Sequence, residues 1–261
     1  MTEQNDDNIS CAHKSHPRTF LGSSFVYPVL SRRSGGISIG INLSPNRICN
    51  FNCVYCQVKK QPDTMPANSK IDQQVIEQIE NELITLIQMV YKGDLFEHAP
   101  FNTVPQELRR LCDISFSGDG EPTSSEIFDT LCTRVANIKK QYARDDVKIV
   151  LITNSTLLHK PKVQEALAVL DLNNGEIWAE LDAGTEKYYA TVNRSGVAFE
   201  KILDNILRAA QKRPIKIQTL FMNIMGSAPD QQEIAAYIDR LNFLTNNGAH
   251  IKAVQLHTVA R

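Results

Sequence analysis

The chain has 261 residues, 42% of them hydrophobic and 22% charged, with a formal charge of −1. That balance fits one α/β domain with a sizeable core and gives no global attraction to nucleic acid or an anionic membrane. No apolar run approaches the roughly 20 residues that span a bilayer, and the start MTEQNDDNIS lacks the basic and apolar regions of a secretory signal, so a cytoplasmic, membrane-free setting is expected.

Residues 1–16 lack periodicity and large apolar side chains, which predicts a polar tail. FLGSSFVYPVLSRRSGG is richer in aromatic and β-branched residues and is expected to pack on the domain as a strap, so that 1–33 forms tail and strap and 34–261 the core domain. ISIGINL (37–43) reads as the first strand, followed by a long cysteine-bearing loop. Residues 71–92 place apolar side chains at helical spacing and predict a long amphipathic helix. DISFSG (113–118) is the second strand, and Thr123-x-x-Glu126 predicts a capping box for the next helix. VKIVLIT (147–153), EIWAELDA (176–183), PIKIQTLFM (214–222) and IKAVQLHTVA (251–260) are strands three to six, separated by helices around 160–170, up to about 211, and 229–246.

Strands alternating with helices imply a parallel sheet. Six such strands are too few for a full eight-stranded barrel, so the expected fold is α/β, a partial (βα)6 TIM-like barrel open on one side. No helix follows strand six before Arg261. A cover for that edge is therefore expected from further chain or from a partner.

Alternation along the strands separates two faces. Ser38, Gly40 and Asn42 oppose Ile37, Ile39 and Ile41, Ser115 and Ser117 oppose Ile114 and Phe116, and Glu180 pairs with Asp182 as Gln255 does with His257. Polar faces on four parallel strands suit a solvated, ligand-holding lumen, with Glu180, Gln255 and His257 as candidate lumen residues.

Six cysteines are unevenly spread: Cys11, Cys112 and Cys132 are isolated, whereas Cys49, Cys53 and Cys56 fall within CNFNCVYC, a C-x3-C-x2-C spacing directly after the first strand. In a reducing compartment clustered cysteines are metal ligands more often than disulfides. Short spacing on an irregular loop lets thiolates converge on one iron–sulfur cluster, and three ligands to four irons leave one iron open for chemistry. A zinc site is the alternative, but structural zinc wants four ligands, and no fourth cysteine or histidine lies close in sequence.

C-x3-C-x2-C with the aromatic Tyr55 before the last cysteine, placed after the first strand of a βα barrel, resembles the signature of the radical S-adenosylmethionine (SAM) superfamily. The resemblance runs from about Ser38 to the C-terminus. It implies a [4Fe–4S] cluster on Cys49, Cys53 and Cys56, with SAM bound through its amino and carboxylate groups to the fourth iron. It also implies reductive cleavage to methionine and a 5′-deoxyadenosyl radical, and a low-potential electron donor such as flavodoxin or ferredoxin. GDGE (118–121) resembles the family's Gly-Gly-Glu motif with Asp119 as the departure, which implies Gly118, Gly120 and Glu121 at the SAM amino group. A turn leading into the Thr123 cap is the blander reading.

ITNST (152–156) and LDAGT (181–185) end strands three and four, on the rim where parallel α/β folds bind ligands. Asn154 and Asp182 are therefore candidate SAM contacts, or else a turn former and a helix cap. LDAGTEKYYATVNR is similar to radical SAM proteins related to the tRNA wyosine-base synthases. SPNRICNFNCVYCQV and SFSGDGEPT resemble an uncharacterised bacterial radical SAM group. The expectation is a radical SAM enzyme acting on an unidentified substrate. A tRNA-base-modifying enzyme of wyosine-synthase type is an alternative that the neutral charge does not favour, and an inactive iron–sulfur-binding relative is a third.

Overall fold

The computed structural model describes residues 18–44, 47, 49–58 and 73–258. The expected tail (1–16), the first two residues of the expected long helix and the last residues of strand six lie outside the described residues. Among the described residues no helix is long and apolar enough to cross a membrane.

The strap is itself a strand. Val26–Ser31 (β1) pairs antiparallel with Gly36–Ile41 (β2), through a turn in which Gly35 adopts φ 70° and its N–H returns to the Ser31 carbonyl at 2.9 Å. Pro28 is tolerated because β1 lies at a sheet edge. The remaining strands are Leu111–Phe116 (β3), Lys148–Thr153 (β4), Gly175–Glu180 (β5), Ile215–Leu220 (β6) and Ile251–His257 (β7). They follow β2 in sequence order and pair parallel, giving an open seven-stranded sheet in the order β1 to β7. Gln73–Lys92 (α1), Phe128–Tyr142 (α2), Pro161–Asp171 (α3), Glu186–Val192 (α4), Phe199–Lys212 (α5) and Gln231–Asn246 (α6) connect them.

One sheet face is aliphatic, as the alternation requires. Ile39, Ile41, Ile114, Phe116, Ile149, Leu151, Ala179 and Ile217 are fully buried in a core shared with Leu83, Ile87, Leu131, Leu167 and Ile206 of the helices. Each of the larger side chains among them contributes roughly 1.5–3 kcal/mol on burial. β7 departs from this, since Val254 and Leu256 on its helix-facing side are 38% and 62% exposed.

The capping box does not form. Pro122–Ser124 makes a single 3-10 turn capped by Glu121, and α2 starts later, at Phe128, without a side-chain cap. The Thr123 hydroxyl donates to the Glu121 carboxylate instead of capping a helix.

The sheet's two edges do not pair with each other, and Arg33, just beyond β1, reaches across the lumen between them. Its Nη1 donates to Gln218 of β6, and its guanidinium lies 4.9 Å from the ring centroid of Trp178 in β5.

Candidate active site

A cavity of about 290 Å³ occupies the polar lumen. The sheet lines it with alternate residues: Tyr27, Val29 and Ser31 from β1, Ser38 from β2, Asp113 and Ser115 from β3, Trp178 and Glu180 from β5. Its rim is built from segments that follow the strands, namely Cys49, Cys53, Tyr55 and Cys56 of the loop, Ser117 to Glu121, and Asn154. Of the expected site residues, Tyr55, Gly118, Gly120, Glu121 and Asn154 thus share one cavity with all three clustered cysteines. Asp182 does not line it, and neither do Gln255 and His257.

Cys112 and Cys132 lie elsewhere, the latter buried in α2. Cys49, Cys53 and Cys56 are free thiols, and among the described residues no three His, Cys, Asp or Glu side chains draw together tightly enough for a metal ion. Two of the sulfurs accept N–H donors: Cys49 from the Phe51 backbone at 3.4 Å and Asn154 Nδ2 at 3.9 Å, and Cys53 from Asn193 Nδ2 at 3.6 Å. Asn50 ties the loop to the end of β4, donating to Thr156 Oγ1 at 2.7 Å and accepting from Asn154 at 2.7 Å.

Gly118 is where GDGE meets β2, since a Cβ there would collide with the Asn42 amide. Asn42 in turn donates to Asp119 Oδ2 at 3.0 Å and accepts from the Asp119 N–H at 3.2 Å, while Arg18 pairs with Asp119 at 3.3 Å and donates to the Tyr27 hydroxyl at 2.6 Å. Glu121 is 2% exposed and is the hub of the rim. Its Oε1 accepts from Thr153 Oγ1 at 2.7 Å and from both donors of Thr123, and its Oε2 accepts from the Asn154 N–H at 2.7 Å. Each carboxylate oxygen offers about two acceptor sites; Oε1 already takes three donors, whereas Oε2 takes one and has room for a further donor.

Asp182, 3% exposed, faces the loop and not the cavity. Tyr55 and Asn193 donate to its Oδ2 and the Leu220 N–H to its Oδ1. The carboxyls of Glu121, Glu180 and Asp182 are held above their ordinary range. Burial raises Glu121 against its hydrogen bonds, and burial with repulsion from Asp182 and Glu121 pushes Glu180 up to about 8. Cys53 is pushed up to about 12 by burial and the charge of Glu180.

The Radical SAM superfamily model matches residues 43–239, which takes in the cysteine loop, GDGE and the ends of β4 and β5. The chain belongs to the radical SAM superfamily. A UPF0026 protein of Helicobacter pylori is 30% identical over 241 residues, covering 90% of this chain and 65% of that protein. A second UPF0026 protein from another strain of that species is 29% identical, with 82% and 62% covered. The chain spans less than two thirds of the length of the curated relatives it matches. Among solved structures, Streptococcus suis SuiB bound to S-adenosylmethionine superposes with a TM-score of 0.54 at 14% identity, covering 87% of this chain and 40% of that one. At that identity the likeness is one of fold, and the open, mostly parallel barrel is its shared part.

Sequence reasoning missed Arg18, Tyr27, Asn193 and Arg33. Tyr27 and Arg33 sit on the strap, whose pairing was not foreseen. Asn193 falls inside LDAGTEKYYATVNR, and that segment's resemblance was the only signal for it.

Proposed function

We propose that this protein is a radical SAM enzyme whose Cys49, Cys53 and Cys56 hold a [4Fe–4S] cluster, and whose lumen presents an unidentified substrate to the 5′-deoxyadenosyl radical. The observation that carries this reading is that all three thiols line one acidic lumen cavity together with Glu121 and Asn154. The donor set fits the group: three thiols on one loop, two of them already accepting N–H donors of the kind that stabilise cluster thiolates. When bound, the cluster with SAM supplies the one-electron cleavage of a SAM carbon–sulfur bond, and the protein's part is position and shielding.

Cys49, Cys53 and Cys56 would hold the iron, with Asn154 on the sulfur of Cys49 and Asn193 on that of Cys53. The remaining acceptor site of Glu121 would receive the SAM ammonium, while Gly118 and Gly120 let backbone approach it closely. Asn154, already tied to Asn50, Thr156 and Cys49, would border SAM on the β4 side. Tyr55 and Asp182 would serve together, the phenol and carboxylate pinning the loop that would hold the cluster. Tyr27, Trp178 and Glu180 line the lumen below and would exclude bulk water from the reacting carbon.

The deciding experiment is anaerobic reconstitution followed by reduction with SAM. About four irons and four sulfides per chain and formation of 5′-deoxyadenosine are expected, both lost on replacing Cys49, Cys53 or Cys56 by Ala and retained in the Cys112 and Cys132 variants. Tightly bound zinc without sulfide would sink the reading. A cluster without SAM cleavage under any donor would leave a non-catalytic iron–sulfur module.

A further inference from the structure

A second cavity, of about 200 Å³, lies at the amino ends of the strands, opposite the cysteine rim. Arg33, Asp113 and Trp178 line both cavities and form the partition between them. The basal cavity adds Arg110, Lys148 and Lys216 to its wall.

Its charge is out of balance. Glu176, 8% exposed, accepts from Lys148 at 2.8 Å, Lys216 at 2.7 Å and Lys252 at 3.1 Å, so three ammonium groups share one carboxylate. Asp146 lines the cavity but is paired at 3.0 Å with Arg144 on the surface. Asp113 accepts from the Ser38 hydroxyl, and burial raises its carboxyl against that bond and the nearby charges of Arg33 and Lys148. Among the described residues neither Arg33 nor Arg110 forms an ion pair. Arg33 is spent on Gln218 and the Trp178 face, and Arg110 Nε on the Gly35 carbonyl at 3.3 Å. Arg33, Arg110, Lys148 and Lys216 thus face Asp113 and Asp146 across the cavity, and with Lys252 and Glu176 behind the wall five cations stand against three acids, one of them already paired with Arg144. Like charges crowded in a partly dehydrated cavity repel strongly, and an anion relieves that repulsion.

We propose that the basal cavity binds a phosphate-class dianion, either free or as the phosphomonoester group of a small molecule. Guanidinium groups match phosphate geometry bidentately and ammonium groups add charge. The volume equals several water molecules at about 30 Å³ each, which suits a phosphoryl group with a few attached atoms and no polymer. The site is separate from the cysteine rim and requires neither cluster nor SAM, so its failure would leave the radical SAM reading untouched.

Trp178 is the chain's one tryptophan and stands in the cavity wall, so its fluorescence reports on this site. The 261-residue chain is titrated with inorganic phosphate, pyrophosphate and ribose 5-phosphate at constant ionic strength, with chloride as control and calorimetry in parallel. Saturable binding is expected, with the dissociation constant raised about tenfold or more by Arg110→Gln, as for loss of one charge-assisted contact. Arg208→Gln, whose partner Asp204 lies outside the cavity, should leave it unchanged. Tighter binding of ribose 5-phosphate assigns the phosphomonoester, and tighter binding of phosphate or pyrophosphate the free anion. A response that chloride reproduces, or a dissociation constant indifferent to Arg110→Gln, overturns the proposal.

Discussion

Tyr55 donates its hydroxyl to Asp182 Oδ2 at 2.5 Å, a bond that joins the cysteine loop to the segment after β5 across 127 residues of sequence. Asn193 donates to the same oxygen at 2.8 Å and to Cys53 Sγ at 3.6 Å, so phenol, carboxylate, amide and thiol form one connected cage around the loop. Burial first, and then the Asp182 charge, push the Tyr55 phenol well above its ordinary value, which keeps it a donor at neutral pH.

Tyr55→Phe should therefore cost about 1.5–3 kcal/mol, the usual worth of a hydrogen bond to a charged group. Asp182→Asn should cost at least as much, since an amide nitrogen would then face one of three donors. Urea unfolding of the apo protein measures both. Unchanged stability in the two variants would reduce the contact to a bystander.

Glu121→Gln is expected to weaken SAM binding by about 10- to 150-fold, from loss of roughly 1.5–3 kcal/mol of charge-assisted bonding. The cluster should survive, because no cysteine contacts Glu121 through a hydrogen bond among the described residues. Equilibrium SAM binding to the reconstituted protein, with iron content as control, decides. An unaltered SAM affinity would confine Glu121 to holding Thr123, Thr153 and Asn154.

Asn193→Ala removes an N–H donor from Cys53. Such donors favour the more negative, reduced cluster, so the midpoint potential should fall. A hydrogen bond of about 0.5–1.5 kcal/mol corresponds to about 20–60 mV for one electron. A redox titration followed by electron paramagnetic resonance reads this without any substrate, and a potential that stays or rises contradicts it.

Glu176 gives a pH dependence with a definite sign. Burial alone would raise its carboxyl, but hydrogen bonds from Lys148, Lys216, Trp178 and Lys252 outweigh burial and hold it far below the ordinary range. Its stabilisation is present above the unfolded carboxyl value of about 4.3 and is lost as pH falls below it. Glu176→Gln should lower the melting temperature at pH 7 and narrow its gap to wild type near pH 3. A gap independent of pH would mean that the carboxylate charge contributes nothing.

Gly40→Ala probes the strap. An added Cβ would meet the ring of Tyr27, which Arg18 and Ser117 hold in place, so the ring has little freedom to yield. A loss of about 1–3 kcal/mol is expected, as for other overpacked sites. Thermal unfolding checks it, and a neutral substitution would show that β1 moves freely against β2.

The sequence by itself determined the six parallel strands, their polar and aliphatic faces, and the loop of Cys49, Cys53 and Cys56, because these are short-range patterns. Alternation along seven residues or cysteines within eight can be read without knowing what lies opposite. The tertiary structure decided what depends on a partner far along the chain. VYPVLS became β1 because the free edge of Gly36–Ile41 was there to receive it, and its proline hid that outcome. Thr123 turned to Glu121 because the acid, gathered with Thr153 and Asn154, offered a better acceptor than a helix start. Asp182 turned from the cavity because Tyr55, Asn193 and Leu220 brought it three donors from separate segments. Arg33 and Gln218, 185 residues apart, meet only because the open sheet curls its edges toward each other. Local spacing determines which side chains share a face, and only the folded chain determines what that face meets.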